Sequence, residues 1–361
     1  MTSTCPICDE QDFNNFFDQE NVPVFQNKVY ETQVQALSAH VGNVALTQCK
    51  YCGFVFNSNF ENNLMVYDKN YHNEQGNSQV FKDHLNDILE LLVSFNLANK
   101  KVVEIGCGKG YFMELLMARN IDVTGFDPTY EGDSPKVVKD YFSKKYSGLN
   151  ADVIILRHTL EHIPNVMDFL SQIAEANNFK GQIFIEVPTF DWIMKKQSFW
   201  DIFYEHCNYF TEETLGQMFG KCQTGSVFGG QYIYLWGDLN TLKGKIEQRN
   251  IKKHEQLSFT ATIEKFKHTL SKNKNHIAVW GAAAKGSTFL NLLDSQKELV
   301  KYVVDINPAK QNKFIARTAH PVFPPDIIKT DPVENIWVMN EKYYDEIVSL
   351  VNNKSIKINC I

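Results

Sequence analysis

The stretch Val102-Val-Glu104-Ile-Gly106-Cys-Gly108-Lys-Gly110 constrains the fold more than any other. A short apolar run, Lys101 to Ile105, ends in three glycines at alternate positions. A helical pattern follows from Tyr111 to Arg119. Strand, glycine turn and helix open a βαβ unit, and the alternation continues. Asp122 to Phe126, Ala151 to Leu156 and Gln182 to Val187 read as strands, Val166 to Ala176 as a helix, and Phe81 to Leu97 as a helix ahead of the first strand. The reading is an α/β fold around an open parallel sheet. Such sheets bind ligands at the carboxyl ends of their strands, near the switch in strand order. Glycines there let a ligand approach the backbone. The pattern is E-x-G-x-G-x-G, which differs from the G-x-G-x-x-G of dinucleotide binders.

At roughly 100–200 residues per domain, 361 residues suggest two or three. Residues 1–80 are rich in Asn, Phe, Tyr and Cys with little helical periodicity, residues 81–238 hold the βαβ alternation, and residues 239–361 form a third part. There Lys243 to Leu270 reads as one long charged helix. A strand His276 to Trp280, a Gly/Ala turn, a helix Ser287 to Leu293 and a strand Tyr302 to Val304 ending at Asp305 follow, predicting a second, smaller Rossmann-like unit. The net charge is −6, from 36 basic and 42 acidic residues without a Lys/Arg cluster, which argues against nucleic acid or an anionic membrane as partner. No apolar run reaches the ~18 residues of a membrane helix, and the N-terminus shows no secretory signal. A cytoplasmic location is expected, as a monomer or small homo-oligomer.

Four of the eight cysteines form two pairs, Cys5-Pro-Ile-Cys8 and Cys49-Lys-Tyr-Cys52-Gly53, 40 residues apart. Each pair can place two thiolates on one turn, and two turns complete a tetrahedral four-sulfur site that favours zinc. Such a site is closed, so a structural zinc is expected in a zinc-binding N-terminal domain. Cys107, Cys207, Cys222 and Cys360 are scattered and read as reduced thiols.

The glycine turn with its preceding Glu104 resembles the first motif of class I S-adenosylmethionine-dependent methyltransferases. That resemblance implies a Rossmann-like methyltransferase core over 81–238. Glu104, Gly106 and Gly108 would then hold the methionine end of the cofactor. Asp127, in Gly125-Phe-Asp127-Pro, would accept hydrogen bonds from the ribose hydroxyls, a task suited to a group that only accepts. Arg157-His158-Thr-Leu-Glu161-His162-Ile resembles the segment that walls the methionine part; it implies cofactor contacts for Arg157 and His158, and His162 reads as structural or cofactor-lining. The resemblance adds Tyr71 and Phe142 to the cofactor site.

The segment Asp201-Ile-Phe203-Tyr204-Glu205-His206 follows the last core strand. An imidazole is suited to proton transfer near neutral pH. Zinc domain, methyltransferase core, Glu-His segment and second α/β unit, in that order, resemble the sugar C-methyltransferases, which methylate carbon 3 of nucleotide-linked 4-keto deoxysugars. A Tyr-x-Glu-His segment carries that family's base. Glu205 and His206 match it, Phe203 stands in the tyrosine's place, and Tyr204 lies one position later. The implied chemistry is removal of the proton next to the ketone by His206, with Tyr204 or Tyr209 donating to the enolate oxygen. The expected partner is a small molecule, a nucleotide-diphosphate sugar. An O- or N-methyltransferase on a related sugar nucleotide or small molecule is the alternative.

In the C-terminal part, Gly281, Ala283 and Gly286 with Asp305 invite a comparison with NAD sites, but Ala283 adds a methyl where the pyrophosphate would approach. The loop instead resembles the Gly-Ala-x-x-Lys-Gly loop of the same family. This implies that Lys285, Asp305 and Lys310 contact the sugar nucleotide. Beyond Gln311 the match frays: Asn312 and Ala316-Arg317-Thr318-Ala319 replace the family's Gly and Pro-Gly-Thr-His run. The departures fall in segments expected to touch the acceptor, which predicts retained cofactor chemistry with an altered acceptor.

Overall fold

Three sheets organise the chain, and the central one carries the glycine turn. Its seven strands run in the order Cys222–Val227, Tyr232–Asp238, Gln182–Pro188, Val153–Arg157, Lys101–Ile105, Asp122–Phe126, Val137–Val138. The five strands from Gln182–Pro188 to Val137–Val138 are mutually parallel. Ile154, Ile155 and Leu156 are fully buried, as expected of a strand covered on both faces. The Cys222–Val227 and Tyr232–Asp238 pair is antiparallel and makes the sheet mixed, unlike the wholly parallel sheet expected. Their short connection, Phe228–Gln231, can join only antiparallel strands. Strand order reverses at Lys101–Ile105, where the glycine turn emerges. The computed structural model describes residues 4–66, 71, 76–244, 246–249, 254 and 257–361.

The N-terminal sheet is antiparallel: Phe13–Pro23, Val41–Cys49, Val55–Asn57 and then Asn208–Tyr209 from the central part of the chain. The C-terminal sheet has parallel strands Lys357–Cys360, Asn335–Val338, Ile277–Trp280, Tyr302–Val304 and Pro321–Phe323. It continues through Lys313–Ile315 to Val29–Tyr30, both antiparallel to their neighbours. The N-terminal segment thus lends a strand to the C-terminal sheet and receives one from the core.

The helices of the core lie close to their sequence expectations. Gln79–Ser94 is capped by the Ser78 hydroxyl, which accepts from the Phe81 amide, and it buries Phe81, His84, Leu85, Ile88, Leu89 and Leu92 along one face. The long helix expected over Lys243 to Leu270 is corrected: the helix is Thr260–Ser271. Residues 246–249, 254 and 257–259 are non-helical, and 245, 250–253 and 255–256 lie outside the described residues. Buried Ile246, Leu257 and Phe259 pack into the clusters of the neighbouring units rather than along one helical face. No helix among the described residues is long and apolar enough to cross a membrane.

Candidate active site

A cavity of about 1120 Å³ opens where the three sheets meet. Small-molecule pockets are commonly roughly 300–1,000 Å³, so this one lies above the top of that range. One end is walled by the glycine turn, the middle by Phe203, His206 and Tyr209, and the far end by Gly281, Lys285, Asn307 and Lys310.

At the first end, Gly106 has φ +81°, and an added Cβ would overlap the Thr159 hydroxyl. Only glycine supports that turn. Asp127 follows the strand Asp122–Phe126 with both oxygens in use: Oδ2 accepts from the Gly108 amide at 2.8 Å, and Oδ1 from the amide and hydroxyl of Thr129 at 2.7 Å each. It therefore braces the turn as well as facing the cavity. Glu104 is buried, and its Oε2 has no hydrogen-bond partner among the described residues. Burial pushes its carboxyl up to about 7, against the pull of Arg157. Tyr71, Phe142, Arg157 and His158 all line the same cavity.

The middle is assembled by the segment after Gln182–Pro188. His206 sits between Phe203, whose ring centroid is 4.1 Å away, and His162, 4.8 Å away and nearly perpendicular. Burial, then the neighbouring His162, His158 and Lys285, hold its pKa well below the ordinary value. His162 Nδ1 donates to the Glu205 carbonyl at 2.8 Å, which fixes that ring. Glu161 is buried beside it, with neither oxygen hydrogen-bonded among the described residues.

Two of the sequence-derived catalytic candidates lie off the cavity wall. Glu205 is fully buried; Oε1 accepts from the amides of Gln26 and Asn27 at 2.5 and 3.0 Å, and Oε2 from the Tyr71 hydroxyl at 2.5 Å. It ties the N-terminal segment and Tyr71 to the base-bearing loop. Tyr204 is corrected from a catalytic to a packing position. Its ring lies under Gly42, where an added Cβ would strike it, and its hydroxyl accepts from the Glu61 amide at 2.8 Å. A turn closed by the His206 amide on the Phe203 carbonyl at 3.2 Å leaves Phe203 and His206 on the cavity wall and Tyr204 and Glu205 behind it. Tyr204→Phe is therefore expected to lower stability by about 1 kcal/mol with turnover unchanged, read by chemical denaturation beside a rate assay. Tyr209 lines the cavity, but its hydroxyl is engaged with the backbone of Phe203, donating to the carbonyl at 3.2 Å.

At the far end, the helix Ala284–Leu293 begins without a side-chain cap. Gly286 is required there, because a Cβ would run into the Gly281 carbonyl. Lys285 does not stand alone facing the cavity: its Nζ lies 2.7 Å from Asp201 Oδ1. Asp305 accepts from the Ala282 and Asn307 amides at 2.7 and 2.8 Å and so shapes the loop. Lys310 is buried, which lowers its pKa, and its Nζ reaches the Ala282 carbonyl at 3.4 Å.

The cysteine pairs meet. Cys5 and Cys52 sulfurs are 3.6 Å apart, Cys8 and Cys49 sulfurs 3.5 Å, and all four lie within 4.8 Å of one another. Zn–S bonds of about 2.3 Å in a tetrahedron separate sulfurs by about 3.8 Å, so the four residues can hold such an ion.

Sequence reading missed His84 and Glu186. Both left signals: Glu186 is the one charge inside the apolar run Ile183–Val187, and His84 falls on the apolar face of its helix.

Residues 77–223 match the model of a methyltransferase domain, and residues 248–356 match that of a C-methyltransferase C-terminal domain. The chain thus combines a methyltransferase domain with a C-methyltransferase C-terminal domain. Its strand order gives the Rossmann-like core of class I methyltransferases. The chain is 23% identical over 264 residues to the C-methyltransferase NovU of Streptomyces niveus, covering 62% of each chain. It is 29% identical over 123 residues to a ubiquinone biosynthesis O-methyltransferase of Pseudomonas fluorescens, covering 28% of this chain and 51% of that one. The aligned stretches thus span less than two thirds of either relative. Among solved structures, a methyltransferase from Archaeoglobus fulgidus matches with TM-score 0.35 and 18% identity, covering 43% of this chain and 92% of that one.

Proposed function

We propose that the protein moves a methyl group from S-adenosylmethionine to a carbon of a nucleotide-linked keto-deoxysugar, with His206 as the base. The observation that carries this reading is the continuity of one cavity past the glycine turn, His206 and the Gly281–Lys285 loop. The first end suits the cofactor: a glycine cradle, a buried Glu104 Oε2 without a partner among the described residues, and Asp127 within reach of a diol. S-adenosylmethionine, when bound, supplies an electrophilic methyl group. The far end suits a sugar nucleotide, with an uncapped helix N-terminus for phosphate, Asn307 Nδ2 without a partner among the described residues, and Lys310. The N-terminal cysteines would hold a structural zinc.

His206 does the acid–base work in this proposal. A lowered pKa keeps the imidazole neutral near pH 7, so its lone pair can take the proton next to a ketone. The charge left on the acceptor spreads into an enolate. Lys285, close enough to influence His206, supplies positive potential for the enolate oxygen, and Asp201 holds its ammonium in place. Phe203 and Tyr209 exclude water beside the ring. Positioning of carbon against methyl can contribute roughly 7–11 kcal/mol of the barrier.

One observation favours a second reading. Phe203 puts a ring without a hydroxyl over His206, where the resembling family has a tyrosine, and an O- or N-methyltransferase needs no enolate donor. Methyl-labelled (carbon-13) S-adenosylmethionine, incubated with nucleotide-linked 4-keto-6-deoxy and 2,6-dideoxy sugars, decides between them. A carbon-bound methyl shift in the product is expected; an oxygen- or nitrogen-bound shift would select the second reading.

A further inference from the structure

Arg157 ends the central strand Val153–Arg157 with its guanidinium 4.5 Å from the centroid of the Phe112 ring. Its Nε donates to Glu186 Oε2 at 2.7 Å. Arg157 lines the cavity, and its Nη2 is buried with no hydrogen-bond partner among the described residues. Glu186 is fully buried, and its other oxygen accepts from His84 Nε2 at 2.6 Å. His84 projects from the apolar face of the helix Gln79–Ser94. Burial alone would push the Glu186 carboxyl up, but Arg157, His158 and His84 hold it well below the usual carboxylate range.

Glu104 stands at the same end of the cavity, and its Oε2 is also buried without a partner among the described residues. Arg157 lowers the Glu104 pKa, so the two groups feel each other, yet no hydrogen bond joins them. A buried donor on a cation and a buried acceptor on a carboxyl are costly to leave unmade. One ligand satisfies both if it brings a carboxylate and an ammonium on neighbouring atoms. That is the α-amino-acid end of the methyl donor.

We propose that His84 and Glu186 are positioning residues that fix Arg157 so that its free Nη2 takes the carboxylate of the donor's amino-acid end. The inference rests on the reading that the glycine-turn end binds S-adenosylmethionine. A guanidinium carried by a flexible side chain makes a directional bond only if its plane is set beforehand. Phe112 sets one face and Glu186 sets the edge. Glu186 in turn keeps its orientation because His84 occupies its second oxygen; a carboxylate only accepts, so His84 Nε2 carries the hydrogen. A buried guanidinium also needs a counter-charge, and Glu186 provides it without entering the cavity.

Calorimetric titration with two probes tests this. S-adenosylhomocysteine carries the amino-acid end, and 5′-methylthioadenosine lacks it. The wild type is expected to bind the first more tightly. In Glu186→Gln, affinity for S-adenosylhomocysteine should fall about tenfold or more, while 5′-methylthioadenosine changes by less than about twofold. Arg157→Lys keeps the charge but loses the fork and should show the same split, so the proposal stays testable if Glu186→Gln does not fold. His84→Gln, which retains a donor, should show a smaller loss than His84→Leu. Equal weakening of both probes would reduce the dyad to a structural role and overturn the proposal, as would unchanged affinity for S-adenosylhomocysteine. If the wild type bound neither probe, the methyl-donor reading would fall and the proposal with it.

Discussion

Replacing His206 by Asn is expected to lower the rate of methyl transfer about 10²- to 10⁴-fold, the usual range for a general base. Asparagine keeps a polar group of similar size but has no lone pair basic enough to accept a carbon-bound proton. Binding of S-adenosylhomocysteine should be unaltered, because the glycine turn and Asp127 are held by their own contacts with Thr159, Thr129 and Gly108. The pH profile supplies a second check. Burial and the charges of His162, His158 and Lys285 lower the His206 pKa in the folded protein. The base form therefore persists as pH falls through about 6.5, and the rate limb set by His206 lies at lower pH. Stability moves with the opposite bias. The unfolded chain gains a proton near 6.5 and the folded one only below its depressed value, so the native state loses stability as pH falls through that window. His206→Asn should remove this part of the acid sensitivity. A rate profile that falls through 6.5, or an Asn variant with full turnover, would count against His206 as the base.

The parts of the molecule legible in the sequence are those encoded locally. The glycine turn could be read because Glu104, Gly106 and Gly108 lie within one strand and turn, and the cysteine cluster because each pair occupies a single turn. The boundaries of Asp122–Phe126 and Val166–Ala176 needed only short-range pattern. What pattern could not supply was pairing between distant segments. Val29–Tyr30 joins the C-terminal sheet through Phe314 and Ile315, and nothing in a two-residue strand announces that partner. Glu205 lies next to His206 and matches the same segment, yet its carboxylate turns to Gln26 and Asn27, 179 and 178 residues away along the chain. Lys285 reads as a sugar-nucleotide contact, and its ion pair with Asp201, distant along the chain, shows only in the fold. The Glu186–Arg157–His84 network needed three elements at once. Chemistry that depends on one turn was visible; chemistry assembled from several elements had to be seen folded.

The largest effect on stability is expected at the N-terminus. With zinc at the four cysteines, Cys49→Ser should reduce bound zinc from about one ion per chain to nearly none. It should also destabilise the protein by several kcal/mol, since structural zinc in small domains contributes on the order of 10 kcal/mol of apparent folding free energy. The consequences would reach the site, because the knuckles are packed into the core. Cys5, Cys49 and Cys52 share one apolar cluster with Val166, Leu170, Leu215 and Met218. The Pro6 carbonyl accepts from the Met167 amide at 3.4 Å, and the Cys52 carbonyl from Gln217 Nε2 at 3.3 Å. Cys49 ends the strand Val41–Cys49, which pairs with Val55–Asn57, and that strand pairs with Asn208–Tyr209 just past His206. Loosening the staple therefore loosens the loop that carries the base. Chelation should lower the unfolding temperature and turnover together, with zinc restoring both. Cys222→Ser, at an exposed thiol outside the cluster, should change neither. Loss of turnover with an unaltered unfolding temperature would instead mark a metal that acts in the reaction, an outcome at odds with four thiolates that leave no open position.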